Sequence, residues 1–379
     1  MRPYGVHNFI VTGECGCSVL EESKPKSPIG ELCLARQQTS SSSNHFMRID
    51  LPGGQSLVLG DTIVSRCGTW VSRATMHSDS DSGGRSVILK CIWPAPTSRK
   101  SEVEVIKEAT EKATGEFLWV RDHLPCLLDE FHATPAQLGL SEYCDEEVEE
   151  LHVVVFEELY PITDLTNSQD LGKAFYDIFR CYHWMYEIAG IMHRDISISN
   201  LMFRMKDGHV YGVLNDFDLA VHWAELDAST SQRRTGTQPF MARELLKPGD
   251  PPLHIYRFDL ESLLYVMAYV IYCYHDGQEI DDPPYGFEPW VHESRTRELA
   301  RMDKTVFIAD RLPEHPTKNF GSLRPVVQGV HQLFQEYHHY VSSGEHMKEA
   351  FRKFERGGEP DFDMVEKAFQ ENLPKANAG

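Results

Sequence analysis

Apolar positions recur along this chain in three rhythms, and each predicts a different kind of element. From Phe46 to about Lys90 the rhythm is strand-like. Phe46-Met-Arg-Ile-Asp-Leu alternates, Ser56 to Leu59 runs into a Gly-Asp turn, and Val87-Ile-Leu-Lys-Cys-Ile follows a Gly83-Gly84 loop, which predicts several short antiparallel strands. Between Ser101 and Ala113 charged residues alternate with Val103, Val105, Ile106 and Ala109, predicting a partly amphipathic helix with Ser101 as N-cap. A strand, His152 to Phe156, follows the acidic stretch Asp145 to Glu150. From near Asp170, Leu171, Phe175, Ile178, Phe179, Tyr182, Tyr186 and Ala189 recur at helical spacing, with Gly190 as the stop. Leu260 to Tyr274 is apolar almost all round yet too short to span a bilayer, so it reads as a helix buried inside a larger helical region.

A small β-rich part with one helix, then a connecting strand, then a larger helical part predicts an α+β chain of two lobes with a crevice between them. Residues 1–45 contain Lys24 to Pro28 and the Thr39 to Ser43 tract, a composition that buries little surface and predicts a flexible or loosely docked leader. Residues 46–152 form the small lobe, 153–345 the connection and large lobe, and 346–379 a helical extension or tail.

Composition narrows the function. The 379 residues carry 37 Lys plus Arg against 57 Asp plus Glu, a net charge of -20, whose field repels nucleic acid and acidic lipid. An anion therefore needs a local cationic or metal-bridged pocket. Nine cysteines without paired CxxC units argue against a disulfide framework and for a reducing compartment. The N-terminus has no secretory signal of the usual kind. A soluble intracellular protein, cytoplasmic or nuclear, is expected, with no membrane and no nucleic-acid partner.

The richest stretch is His193-Arg194-Asp195-Ile196-Ser197-Ile198-Ser199-Asn200, followed by Asp216-Phe217-Asp218. Phosphoryl transfer from a nucleotide needs a carboxylate at the attacking hydroxyl, and carboxylate and amide oxygens that hold Mg²⁺ against the phosphates. Asp195, Asp216 and Asn200 match these needs by type and order. Lys90, within its apolar strand, suits a contact to the α- and β-phosphates and a pairing with a helix carboxylate. Glu102, Glu104 and Glu108 all compete for that pairing; Glu102 is preferred because Val105 and Ile106 place core contacts one turn below it.

Arg66 to Ala74, with Gly68 and Val71, stands where a phosphate-covering loop belongs between strands. Its single glycine predicts a loose lid, and a plain hairpin turn fits nearly as well. Val155 to Glu158, with Glu157, ends the strand expected to hold a base through backbone groups. Arg234 to Glu244, including Thr237, occupies the place of a peptide-docking segment, with Glu244 expected against an arginine. The preceding loop carries Ser229, Thr230 and Ser231, and Arg194 is placed to pair with a phosphate added there. Asp259, opening the buried helix, is expected to brace the catalytic loop.

These motifs resemble the eukaryotic protein-kinase superfamily and, more closely, the fungal-type protein kinases: His-Arg-Asp-Ile-Ser at His193, Asp-Phe-Asp at Asp216, Arg-Thr-Gly-Thr at Arg234 with Phe-Met-Ala after it, and Asp-Leu-Glu-Ser at Asp259. The resemblance spans roughly residues 55 to 340. It implies a bilobal protein-kinase-like fold with ATP and Mg²⁺ as cofactors and a Ser/Thr protein substrate. It makes Asp195 the base, Asn200 and Asp216 the metal ligands, and Lys90 the phosphate contact. Asp218 replaces the usual glycine, and Ser197 stands where many kinases carry a lysine; losing that positive charge predicts slower transfer or a different charge compensator. Two other readings compete: a nucleotide-binding pseudokinase scaffold, and a small-molecule phosphotransferase of the aminoglycoside kind, against which the docking segment argues.

Overall fold

The computed structural model describes residues 48–51, 55–66, 69–78, 81–93, 100–138, 140, 150–226, 234–284, 286, 287, 290, 296–342 and 360–374. Mixed helix and sheet is the observed class. The described residues divide into two compact units, one of residues 48–93 and 125–158, the other of 100–124 and 159–374.

The smaller unit is one antiparallel sheet. Its strands are β1 (Arg48–Leu51), β2 (Gln55–Arg66), β3 (Thr69–Ser78), β4 (Asp81–Ile92), β5 (Leu127–Ala133) and β6 (Leu151–Glu157), in the order β1-β2-β3-β4-β6-β5. The turn expected at Gly60-Asp61 does not occur. Strand β2 runs through it with register irregularities between Leu59 and Val64, because a bulge absorbs the break that glycine introduces and lets pairing with β3 continue. Alternation then sorts the side chains. Val87, Leu89 and Cys91 of β4 join Leu57, Val153 and Val155 in the core, while Lys90 projects from the opposite face. Strand β4 is internal to the sheet, in register with Val71 on β3 and Val154 on β6 at Lys90, and Lys90 is only 7% exposed.

The larger unit begins with α1 (Glu102–Lys112), entered through a reciprocal cap: Ser101 accepts the Glu104 amide and Glu104 accepts the Ser101 amide, satisfying two otherwise orphaned donors. Helix α2 (Ser168–Trp184) is capped by Asn167 and buries the stripe Leu171, Phe175, Ile178, Phe179 and Tyr182. Its continuation, Met185–Ala189, is π-helical and ends at Gly190. Short strand β7 (Tyr160–Pro161) precedes α2, and β8 (Ile191–Met192), β9 (Leu201–Lys206), β10 (His209–Leu214) and β11 (Val221–His222) follow it. Strand β10 lies flush on α2 at Gly212, where a Cβ would come within 2.2 Å of the Ala174 carbonyl oxygen, so no larger residue fits.

Helix α3 (Tyr256–Cys273) is buried from Arg257 to its end, as its all-round apolarity predicts. Around it lie α4 (Arg297–Ala309), α5 (Arg324–Ser342) and α6 (Phe362–Asn372). Helix α6 docks on α2 through aromatic contacts: Phe362 stacks on His183 at 4.4 Å and Phe369 on Phe179 at 5.3 Å. No helix among the described residues is long and apolar enough to cross a membrane.

Candidate functional site

A hairpin builds the site. Strands β9 and β10 pair with Leu201 opposite Leu214, joined at Asp207-Gly208, both with positive φ, the turn chemistry that Asp-Gly favours. That register leaves Asn200 and Asn215 side by side at the open end, with the Asn215 N–H donating to the Asn200 carbonyl at 2.9 Å. Asn200 and Asp216 are thereby carried to the same place.

The loop before β9 is held in an unfavourable backbone conformation. Arg194 (φ 69°) and Asp216 (φ 63°) both lie in the left-handed region, which costs on the order of 1 kcal/mol or more for such residues and persists only where surrounding contacts enforce it. Three contacts do so. The Arg194 amide donates to Asp259 Oδ2 at 3.0 Å. His193 joins the two motifs, since its Nε2 lies 3.0 Å from the Asn215 carbonyl oxygen and its Nδ1 accepts the Asp195 N–H at 3.3 Å. Its ring also meets Phe217 edge-on at 4.9 Å.

Asp195 is oriented from both sides. Thr237 donates its N–H (2.8 Å) and its hydroxyl (2.9 Å) to Oδ1. Asn200 Nδ2 donates to the Asp195 carbonyl oxygen (2.8 Å) and to Oδ2 (3.3 Å). Gly236 at φ 116° turns the chain so that Thr237 meets the carboxylate, a conformation side-chain-bearing residues avoid. Burial and then the neighbouring Asp216 charge push the Asp195 carboxyl up, against the Thr237 hydrogen bonds. An acid held toward its protonated form beside a second carboxylate suits proton transfer.

Asp259 is the hub beneath this loop. Besides the Arg194 amide it accepts the Tyr182 hydroxyl (2.7 Å) and pairs with His254 Nε2 (2.9 Å). Burial alone would raise the Asp259 carboxyl; the His254 charge and the hydrogen bonds outweigh it and hold it down. The segment from Arg234 to Glu244 is tied to the same helix: Glu244 pairs with Arg257 at 3.0 Å, and the Arg243 N–H donates to Glu261 Oε1 at 2.9 Å. Arg234 grips the segment's far end through the carbonyls of Leu245, Lys247 and Gly249.

The oxygen donors Asp216 and Asn200 fit a hard divalent cation such as Mg²⁺, which takes carboxylate and amide oxygens. Asn200 spends its N–H₂ on Asp195, which leaves its Oδ1, touched at 3.3 Å by Ser199 Oγ, as the oxygen to face a cation. Glu102, Asp216 and Asp218 each bring a carboxylate oxygen within 4.8 Å of the others, a grouping the sequence did not suggest.

The structure also separates the three glutamates of α1. Glu104 closes the cap, and Glu108 binds Lys100, Lys112 and His222. Glu102 is buried and accepts the Phe217 N–H at 2.9 Å, fastening α1 to the Asp216 segment. Burial alone would push the Glu108 carboxyl up, but the hydrogen bonds from Lys100, Lys112 and His222 outweigh it and hold it at about 2. Its stabilising contribution is complete above its ordinary value of 4.5 and is lost as pH falls toward 2. Glu108→Gln is therefore expected to be less stable than the wild type at pH 7, with the gap closing below 4.5. Urea unfolding at several pH values checks this, and a gap independent of pH contradicts it.

Val71 and Lys90 are paired in the sheet, while Gly68 lies outside the described residues, as do Ser229, Thr230 and Ser231. The Glu157 N–H is already donated to the Cys126 carbonyl at 3.0 Å, so a nucleotide base would not use that group. Ser197, which stands where many kinases carry a lysine, is fully buried, and its carbonyl accepts the Asn200 and Leu201 amides. A recess of about 180 Å³ abuts Asp195, lined by Thr235, Gly236, Thr237, Met241 and His254 among others.

Sequence reasoning missed His254, Tyr182 and Lys304, and the hold of Thr237 on Asp195. Of these only Lys304 carried a signal: it occupies the buried stripe of α4 with Ala300, Phe307 and Ile308, where an aliphatic residue is expected.

The sequence model of the family described as fungal protein kinase matches residues 146–271, and the likeness to fungal-type protein kinases read from the motifs is thereby shown. This stretch contains the Asp195, Asn200, Asp216, Glu244 and Asp259 positions. The match, over about a third of the chain, supports a phosphotransferase of the kinase type. No curated protein matches the chain.

Proposed function

We propose that this chain is an ATP- and Mg²⁺-dependent protein kinase of bilobal kinase fold that phosphorylates Ser or Thr of a protein. Asp195 orients and deprotonates the acceptor hydroxyl, Asn200 and Asp216 hold Mg²⁺, and Lys90 contacts the α- and β-phosphates. Gly68 and Val71 cover the nucleotide, and Glu157 borders its base. The metal, when bound, neutralises charge developing on the transferred phosphoryl group.

The observation that carries this reading is the hold on Asp195. Thr237, from the segment expected to dock a peptide, donates twice to the carboxylate that would receive the acceptor's proton. Base and docking segment thus share one hydrogen-bond network, which a protein acceptor requires and a small-molecule acceptor does not.

A thermal-shift series with ATP and Mg²⁺, run beside transfer from γ-labelled ATP to mixed protein acceptors, tests the reading. At about a hundred times its Kd, ATP adds ~2.7 kcal/mol to the folded state, so the wild type melts several degrees higher. Asp216→Ala is expected to lose most of that shift and all transfer. Equal stabilisation of both proteins overturns the metal assignment. Stabilisation without transfer favours the scaffold reading, for which Ser197 in place of a lysine already speaks.

A further inference from the structure

Lysine inside a helical core is costly unless every ammonium proton finds an acceptor. Lys304 lies mid-helix on α4 and is 1% exposed. Its Nζ donates to the Gln238 carbonyl at 2.8 Å and the Met241 carbonyl at 2.5 Å, and lies 4.9 Å from the centre of the Tyr265 ring. The charged groups around it are Glu261 on α3 and Asp303 on its own helix. Glu261 is engaged by Arg243, Arg257 and the Tyr265 hydroxyl.

The two carbonyls belong to a tight turn. The Phe240 and Met241 amides both donate to the Thr237 carbonyl, at 2.8 and 3.0 Å. One ammonium therefore clamps a turn whose first residue presents its N–H and hydroxyl to Asp195 Oδ1. Without the clamp, the two carbonyls lose the ammonium, the Gln238 carbonyl keeping the Met241 N–H at 3.3 Å, and the turn relaxes toward water, carrying Thr237 with it.

We propose that Lys304 is a positioning residue: its ammonium, through the Gln238 and Met241 carbonyls, holds Thr237 against Asp195 and so sets the orientation of the base. The inference rests on the kinase reading for its catalytic consequence but not for its geometric one. It also supplies a cation under the docking segment in a protein whose catalytic loop has Ser197 instead of lysine. The buried ammonium needs no acid partner for this, because backbone carbonyls serve as its acceptors.

The test compares full-length wild type with Lys304→Met, of similar volume but without a donor, and Lys304→Gln, whose amide reaches a carbonyl without charge. Hydrogen exchange of a peptide covering residues 234–241 is measured together with nucleotide affinity, kcat and KM for protein acceptors. Lys304→Met is expected to exchange at least tenfold faster over this peptide and to lose about tenfold in kcat, with ATP affinity unchanged. Lys304→Gln is expected to recover part of both losses.

Unaltered exchange in a folded Lys304→Met or Lys304→Gln protein overturns the proposal, as does an equal loss of ATP affinity, which marks general destabilisation. Faster exchange in a chain whose wild type transfers no phosphate from ATP upholds the clamp and removes the kinase reading instead.

Discussion

Asp195→Asn is expected to transfer phosphate about a thousandfold more slowly than the wild type and yet to melt at a higher temperature. Both effects have one cause. The carboxylate proposed as the base is kept ionised only against burial and the Asp216 charge, which together push it up from its ordinary 3.8. A neutral amide of the same shape keeps an oxygen for the two Thr237 donors, gives up the weak 3.3 Å contact from Asn200, and ends the repulsion. The sign follows from linkage: an acid whose folded value is raised destabilises the native state increasingly as pH climbs from 3.8 through that raised value. The variant's advantage is accordingly absent at low pH and full at neutral pH. Calorimetry at pH 4 and pH 7, beside single-turnover transfer, measures both halves. A variant that is inactive but less stable at pH 7 shows that Asp195 is a structural anion, paired rather than strained.

Much of this site was written in local patterns. Ser101 with Glu104 three residues on is a reciprocal cap wherever a helix follows, and α1 begins there. The all-apolar run from Leu260 marks α3, whose start lies four residues earlier than the pattern, at Tyr256, because Arg257 and Asp259 are buried as partners rather than exposed as charges. Asp207-Gly208 between two apolar runs was a hairpin signal, and that hairpin carries Asn200 to Asp216.

What remained hidden depends on which distant atoms meet. Nothing near Tyr182 says that its hydroxyl will find Asp259, nor near His254 that it will find the same carboxylate from the other side. Helical spacing marks Tyr182 as core, and core residues ordinarily carry no chemistry. Strand β5 was missed for a related reason: Leu127-Leu-Asp-Glu-Phe-His-Ala does not alternate cleanly, since its side chains are mostly half-buried at the sheet edge. The Gly60 turn was misread because glycine permits a bulge as readily as a reversal.

The second large effect concerns Asp259→Ala, expected to lose about 3–5 kcal/mol of stability. Truncation leaves the Tyr182 hydroxyl, the His254 ring nitrogen and the Arg194 amide buried without their acceptor. It also removes the Asp259 contact that helps hold Arg194 in its left-handed conformation. Asp259→Asn is the milder change: it keeps an oxygen for one or two donors and loses the charge that His254 balances. The pH signature separates these contributions. Asp259 is held below its ordinary 3.8, so its stabilisation is complete above that value and disappears as pH falls through the lower folded value. Guanidinium unfolding of wild type, Asp259→Asn and Asp259→Ala should rank them in that order at pH 7, with the differences shrinking in acid. A His254→Gln, Asp259→Asn double-mutant cycle gives the share of the pair itself. Should Asp259→Ala unfold within about 1 kcal/mol of the wild type, the 193–200 loop takes its shape from elsewhere, and the His193 contacts to Asn215, Asp195 and Phe217 are left to hold it.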